Sequence, residues 1–227
     1  MHATLICLLL FLQAVQSTDA VKNSGSQQNP PAAKINPIFG APNPDLWDGV
    51  YADPTPFFNT APNAFMTEVV KGLKPGRALE VGMGQGRNAV YLAKLGWDVS
   101  GFDISERGMQ IARKSAEAAG VRITTIKASM DDFEYGAGQW DLIVATYEGA
   151  SWLEQAVKGL KPGGFVIMEG FSKTTQSPAG AGFGPNELLR LFMGQNLHVL
   201  RYEEVETKPD WSKEVGRVVR MFARKPV

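Results

Sequence analysis

Glu80, Gly82, Gly84 and Gly86 stand at alternate positions and carry the most specific chemistry in this chain of 227 residues. They belong to the run Ala78-Leu-Glu-Val-Gly-Met-Gly-Gln-Gly-Arg-Asn88, which follows an apolar segment and precedes residues at helical spacing. Glycine has no Cβ, so such a bend brings backbone close to a ligand and takes φ > 0 without a clash. The N-terminus of the next helix offers unpaired N–H groups to an anionic ligand group. Asp103 lies seventeen positions after Gly86, at the tip of the next apolar segment, where a carboxylate can accept both hydroxyls of a ribose. The dinucleotide fingerprint G-x-G-x-x-G would need glycine at position 87, and Arg87 stands there. Nicotinamide-dependent redox chemistry is therefore disfavoured.

These residues need a scaffold, and the sequence supplies it as an alternation of helix and strand from residue 63 onward. A helix is expected over Ala64–Leu73, a strand over Ala78–Val81 and a helix over Arg87–Leu95, which stops at Gly96. Strand Asp98–Phe102 precedes a helix capped by Ser105 and closed by Gly120. Val121–Lys127 and Asp141–Thr146 read as strands, and Trp152–Leu160 as a helix ending in the turn Lys161-Pro-Gly-Gly164. Phe165–Glu169 is again strand, and a helix runs from Glu187 to Phe192. Leu197–Val205 and Val215–Ala223 then follow as strands with no helix between them. The fold class is α/β: a Rossmann-like, mostly parallel, doubly wound sheet ending in an antiparallel β-hairpin. In such sheets ligands bind at the carboxyl ends of the strands, at the switch point. Thr146-Tyr147-Glu148-Gly149 and Glu169-Gly170-Phe171 should face the reacting group.

With an acid two positions before the first glycine, the pattern E-x-G-x-G-x-G resembles motif I of the class I S-adenosylmethionine-dependent methyltransferases. Glu80 to Leu95, reading EVGMGQGRNAVYLAKL, is similar to the small-molecule branch that includes tellurite-resistance and thiopurine-type enzymes. The resemblance covers roughly residues 63 to 223 and implies S-adenosylmethionine as cofactor and a small-molecule methyl acceptor. It implies that Glu80 orients the cofactor's ammonium and that Gly82, Gly84 and Gly86 bring main chain against the methionine moiety. Asp103 would hold the ribose and Ile104 would stack on adenine. Ala128-Ser129-Met130-Asp131 aligns with the family's G-D-A motif, with Ser129 in place of the usual aspartate and with the Met130 main chain or Asp131 as substitutes. A soft nucleophile would need no protein base. An oxygen or nitrogen acceptor would draw on Tyr147, Glu148, Glu169 or His198, with Tyr147 and Glu148 the nearest candidates. Against each stands a plainer role: Tyr147 as pocket wall, His198 as a half-exposed strand residue, Arg87 as surface decoration and Asn88 as a helix cap. A non-catalytic S-adenosylmethionine-binding or sensor protein is the alternative function.

Composition agrees with a small acceptor. Lys and Arg total 23 and Asp and Glu total 23, which excludes the basic excess of a nucleic-acid binder. The single cysteine, Cys7, and two histidines, His2 and His198, leave no cysteine- or histidine-based metal site. The domain expectation has four parts. Residues 1–20 are a signal peptide or membrane anchor with the apolar run Leu5–Leu12, and 21–46 form a Pro/Gln/Asn-rich linker. Residues 47–62 are an aromatic strap or lid, and 63–227 the methyltransferase domain. The N-terminus implies export or tethering, with a misassigned start and cytoplasmic residence as the alternative. Membrane contact is expected only through residues 1–20.

Overall fold

Seven strands form one sheet in the order β3-β2-β1-β4-β5-β7-β6. They are β1 (Arg77–Val81), β2 (Asp98–Asp103), β3 (Thr124–Lys127), β4 (Trp140–Thr146), β5 (Leu160–Phe171), β6 (His198–Thr207) and β7 (Gly216–Arg224). The first five pair in parallel, and β7 pairs antiparallel with both β5 and β6. The computed structural model describes residues 43–54, 58–173, 182–210 and 215–227. The expected signal or anchor at 1–20 and most of the 21–46 linker lie outside the described residues, as do residues 174–181. Among the described residues no helix is long and apolar enough to cross a membrane.

Side chains alternate across the strands, as the pleat requires. Leu79, Val81, Ile143 and Ala145 face one layer with α5 (Leu153–Gly159) and α6 (Glu187–Gly194). Ala78, Leu142 and Val144 face the other, with α2 (Ala64–Val70), α3 (Arg87–Lys94) and α4 (Glu106–Ala118). Each layer buries a separate apolar cluster, so the sheet is doubly wound.

Two expectations change. No helix is expected before residue 63, yet α1 runs from Pro44 to Ala52, across the expected boundary between linker and strap. Asn43 caps it by accepting from the Leu46 N–H at 3.1 Å, and Pro44 occupies the first turn, where a missing N–H costs nothing. The expected turn Lys161–Gly164 is absorbed into β5, because Trp140 pairs with Leu160 before a register shift at Leu142. Gly163 N–H donates to the Lys225 carbonyl and Lys225 N–H to the Gly164 carbonyl, which holds that segment flat against the sheet.

Candidate functional site

Strand order reverses between β1 and β4, and the register brings three strand ends level. Val81 sits beside Phe102 on one side and Ala145 on the other. The next residues, Gly82 and the strand-end residues Asp103 and Thr146, therefore lie side by side at the switch point, where α/β sheets bind ligands.

The bend after β1 is built from glycines at positive φ, at 60° for Gly82 and 49° for Gly84. Both are needed for space as well as conformation. A Cβ at Gly82 would run into the Glu148 carboxyl, and one at Gly84 into the Tyr51 hydroxyl. Asp103 ties the bend to β2: one carboxyl oxygen accepts from Gly84 N–H and the other from Ser105 N–H, each at 2.7 Å. Glu80 points to the α3 side, accepting from Asn88 Nδ2 at 2.9 Å and from Ala89 N–H at 2.8 Å. Asn88, wholly buried, also donates to Thr146 Oγ1 at 3.2 Å and accepts from Asn63 N–H at 2.8 Å. It is a junction between three elements rather than a helix cap.

Glu80, Asp103 and Glu148 converge on this crevice, and burial dominates all three. It pushes the Glu80 carboxyl from 4.5 up to about 7, against the opposing hydrogen bonds from Asn88 and Ala89. Asp103 is raised, and Glu148 is raised well above the ordinary carboxyl range, with Asp103 and Glu80 adding repulsion. Glu148 takes part in no hydrogen bond or ion pair among the described residues. The donor set suits a cationic ligand that brings its own hydrogen-bond donors. Among the described residues no group of three His, Cys, Asp or Glu side chains is arranged to hold a metal ion.

Tyr147 is a wall with a task. Its φ of 64° is unusual for an aromatic residue and turns the chain sharply at the end of β4. The hydroxyl locks that turn, donating to Glu169 Oε1 at 2.5 Å and accepting from Asp210 N–H at 2.9 Å. Burial and the Glu169 charge hold the phenol far above its usual range. Glu169 is equally committed, to Asn63 at 2.7 Å and to Arg220 at 2.6 Å. Of the four acid–base candidates, Glu148 alone stands in the crevice unengaged. His198 is exposed at the start of the edge strand β6, away from the bend.

The other expected cofactor residues fall at the rim. Ile104 follows Asp103 and is half-buried, and Met130 packs half-buried against the core. The Ser129 hydroxyl donates to Asp132 at 2.7 Å and accepts from its N–H at 3.2 Å, forming a local turn. Gly86 closes the bend as the left-handed residue before α3. Arg87, read as surface decoration, is instead 8% exposed and paired with Asp210 at 2.8 Å. Sequence reasoning also missed Tyr51, placed only in a strap: its ring lies against Gly108 and its hydroxyl on Gly84. The one signal for it was the Asn-Pro-Asp start of α1. A groove of about 460 Å³ near Trp97 and Phe165 lies at the opposite, amino ends of the strands.

The residues fit an S-adenosylmethionine-like group. Gly82 and Gly84 leave main chain bare of their own side chains beneath Glu148 and Tyr51, nearby acids suit an ammonium and a sulfonium, and each Asp103 oxygen keeps capacity for a ribose hydroxyl.

Comparison with known proteins gives the same direction. A family model described as a methyltransferase domain matches residues 78–164. A ubiquinone biosynthesis O-methyltransferase from Vibrio parahaemolyticus is 27% identical over 134 residues, 56% of this chain and 57% of that protein. The chain thus spans little more than half the length of that curated relative. TehB from Haemophilus influenzae shares the fold at TM-score 0.61 and 23% identity, covering 80% of this chain and 66% of that one. A structure concerned with converting a disulfide bond into a thioacetal group during echinomycin biosynthesis aligns at TM-score 0.67 and 19% identity, over 81% and 93%. The match begins in β1, crosses the bend at the switch point and ends in β5, so over these residues the chain is similar to a methyltransferase domain, on a fold shared with solved S-adenosylmethionine-dependent methyltransferases.

Proposed function

We propose that this protein binds S-adenosylmethionine and transfers its methyl group to a hydroxyl of a small molecule. The observation that carries the reading is the Glu80–Gly86 bend locked to Asp103 at the switch point, with an unengaged carboxyl, Glu148, beside it. Zero net charge supports a small acceptor rather than a polyanion. The hydroxyl is favoured because the similar curated proteins are ubiquinone biosynthesis O-methyltransferases and because a half-buried carboxyl suits an acceptor that must lose a proton.

When bound, the cofactor supplies an electrophilic methyl on a sulfonium. The protein's share is alignment, exclusion of water and management of one proton. Asp103 and the glycine bend fix the nucleoside and tail, while Asn88 keeps Glu80 in place. Tyr147, clamped by Glu169 and Asp210, aims Glu148 over Gly82. The Glu148 carboxylate accepts the acceptor's hydroxyl proton as the oxygen is alkylated. Branch membership beyond the family, including tellurite-type acceptors, follows from nothing in this geometry.

The test is turnover. Purified protein with S-adenosylmethionine and a panel of phenols, catechols, thiols, amines and tellurite should methylate hydroxyl acceptors over many cycles. Saturable cofactor binding with no turnover on any of them would instead favour the sensor reading.

A further inference from the structure

One loop residue closes a circuit around the glycine bend. The bend starts at Gly82, under the Glu148 carboxyl, and ends at Gly86, next to Arg87. Arg87 Nη1 lies 2.8 Å from Oδ2 of Asp210, in the loop between β6 and β7. The Asp210 main-chain N–H in turn donates to the Tyr147 hydroxyl at 2.9 Å, and Tyr147 carries Glu148 back over Gly82. Covalent neighbours and two short contacts thus join the seat proposed for the cofactor to the carboxyl proposed as base.

Asp210 is buried, and each of its polar groups is engaged. Oδ2 also accepts from Asn63 Nδ2 at 2.8 Å and Oδ1 from Asn59 Nδ2 at 3.2 Å, while the carbonyl accepts from Asn59 N–H at 2.6 Å. Arg87 Nη1 reaches the Ala61 carbonyl as well, at 2.8 Å. The segment between α1 and α2 is therefore tied to the same point. An ion pair with both side chains under a tenth exposed gives little net stability, because desolvation offsets the attraction. What a carboxylate with several fixed donors does supply is direction.

We infer that Asp210 is a positioning residue for methyl transfer: through Arg87 and Tyr147 it couples the glycine bend to Glu148, so that filling the cofactor seat firms the turn that aims the base. The inference rests on the S-adenosylmethionine reading above and adds to it a route between the two halves of the site. Such coupling is shown by a response at one end to a ligand at the other.

Amide exchange followed by NMR reads that response without turnover. Adenosylhomocysteine bound to the wild-type chain should slow exchange at the Asn59 and Asp210 amides by about fivefold or more beyond any change at Gly163 and Lys225, whose amides lie at the opposite strand ends. Arg87→Met combined with Asp210→Asn removes both charges, so no buried charge is left unpaired, and keeps the main-chain N–H at position 210. This double variant should still bind the ligand, with the slowing reduced to less than about twofold. Its kcat at saturating cofactor and acceptor should fall about tenfold while the cofactor KM changes less than about twofold. Slowing confined to the bend in the wild type, slowing retained in the double variant, loss of ligand binding there, or a kcat that does not fall would each overturn the inference. A wild type with no saturable adenosylhomocysteine binding would instead overturn the S-adenosylmethionine reading on which it stands.

Discussion

Glu148 is the residue on which the proposed chemistry turns, and its neighbours explain why. Tyr147 and Glu169 were equally visible in the sequence as polar residues at strand ends, but the fold spends them on each other and on Asp210, Asn63 and Arg220. No spacing rule reveals that pairing, because the partners come from the N-cap of α2, from the loop between β6 and β7 and from β7 itself. Glu148→Gln should lower turnover with a hydroxyl acceptor by about 10²–10⁴-fold while adenosylhomocysteine affinity changes far less. Product formation followed by mass spectrometry, beside calorimetry, separates the two. Tyr147→Phe should behave differently, with reduced stability and an unshifted pH–rate profile. Asn88→Ala removes donors to Glu80 and Thr146 and leaves the buried Asn63 N–H without its acceptor, so denaturant unfolding should show a loss of about 3 kcal/mol.

At the scale of elements, the sequence was most legible where a local rule is strong. The strand–glycine–helix passage, the Ser105 cap and the closing hairpin all stand where periodicity and punctuation put them. It was least legible where long-range pairing decides. Lys161-Pro-Gly-Gly164 has turn chemistry, yet its backbone is recruited into β5 by β4 and by the Lys225 main chain. Helix α1 hid among prolines because composition outweighed its cap. It docks through Asp48, which accepts from Ser105 Oγ at 2.6 Å and from Arg107 N–H at 3.0 Å at the start of α4. Asp48→Ala should loosen that attachment, seen as faster limited proteolysis within residues 43–54 and weaker adenosylhomocysteine binding. Unchanged cleavage would mean that the aromatic contacts of Tyr51 with Phe58 and Gly108 suffice.

Across the whole molecule, two buried acids, Glu80 and Asp103, and the half-buried Glu148 make folding, protons and ligand charge interdependent. The Glu80 carboxyl titrates near 7 in the fold against 4.5 as its ordinary value, so the fold prefers the protonated acid. Its contribution to stability is complete below about 4.5 and is lost as pH rises through about 7. Asp103 and Glu148 are shifted in the same direction. A sulfonium favours the ionised acids, and the product lacks that charge. The affinity ratio of S-adenosylmethionine to adenosylhomocysteine should therefore rise between pH 5.5 and 7.5, by about tenfold for each proton lost on binding per pH unit. Binding in buffers of different ionisation enthalpy should show protons released. The account as a whole stands on the crevice between Gly84 and Asp103 being the cofactor seat, and titration calorimetry with adenosylhomocysteine on wild type and Asp103→Ala tests it most directly. Saturable binding at one site per chain, weakened about tenfold or more by the substitution, is the expected result. No saturable heat with the wild type, or equal affinity in both proteins, would contradict it.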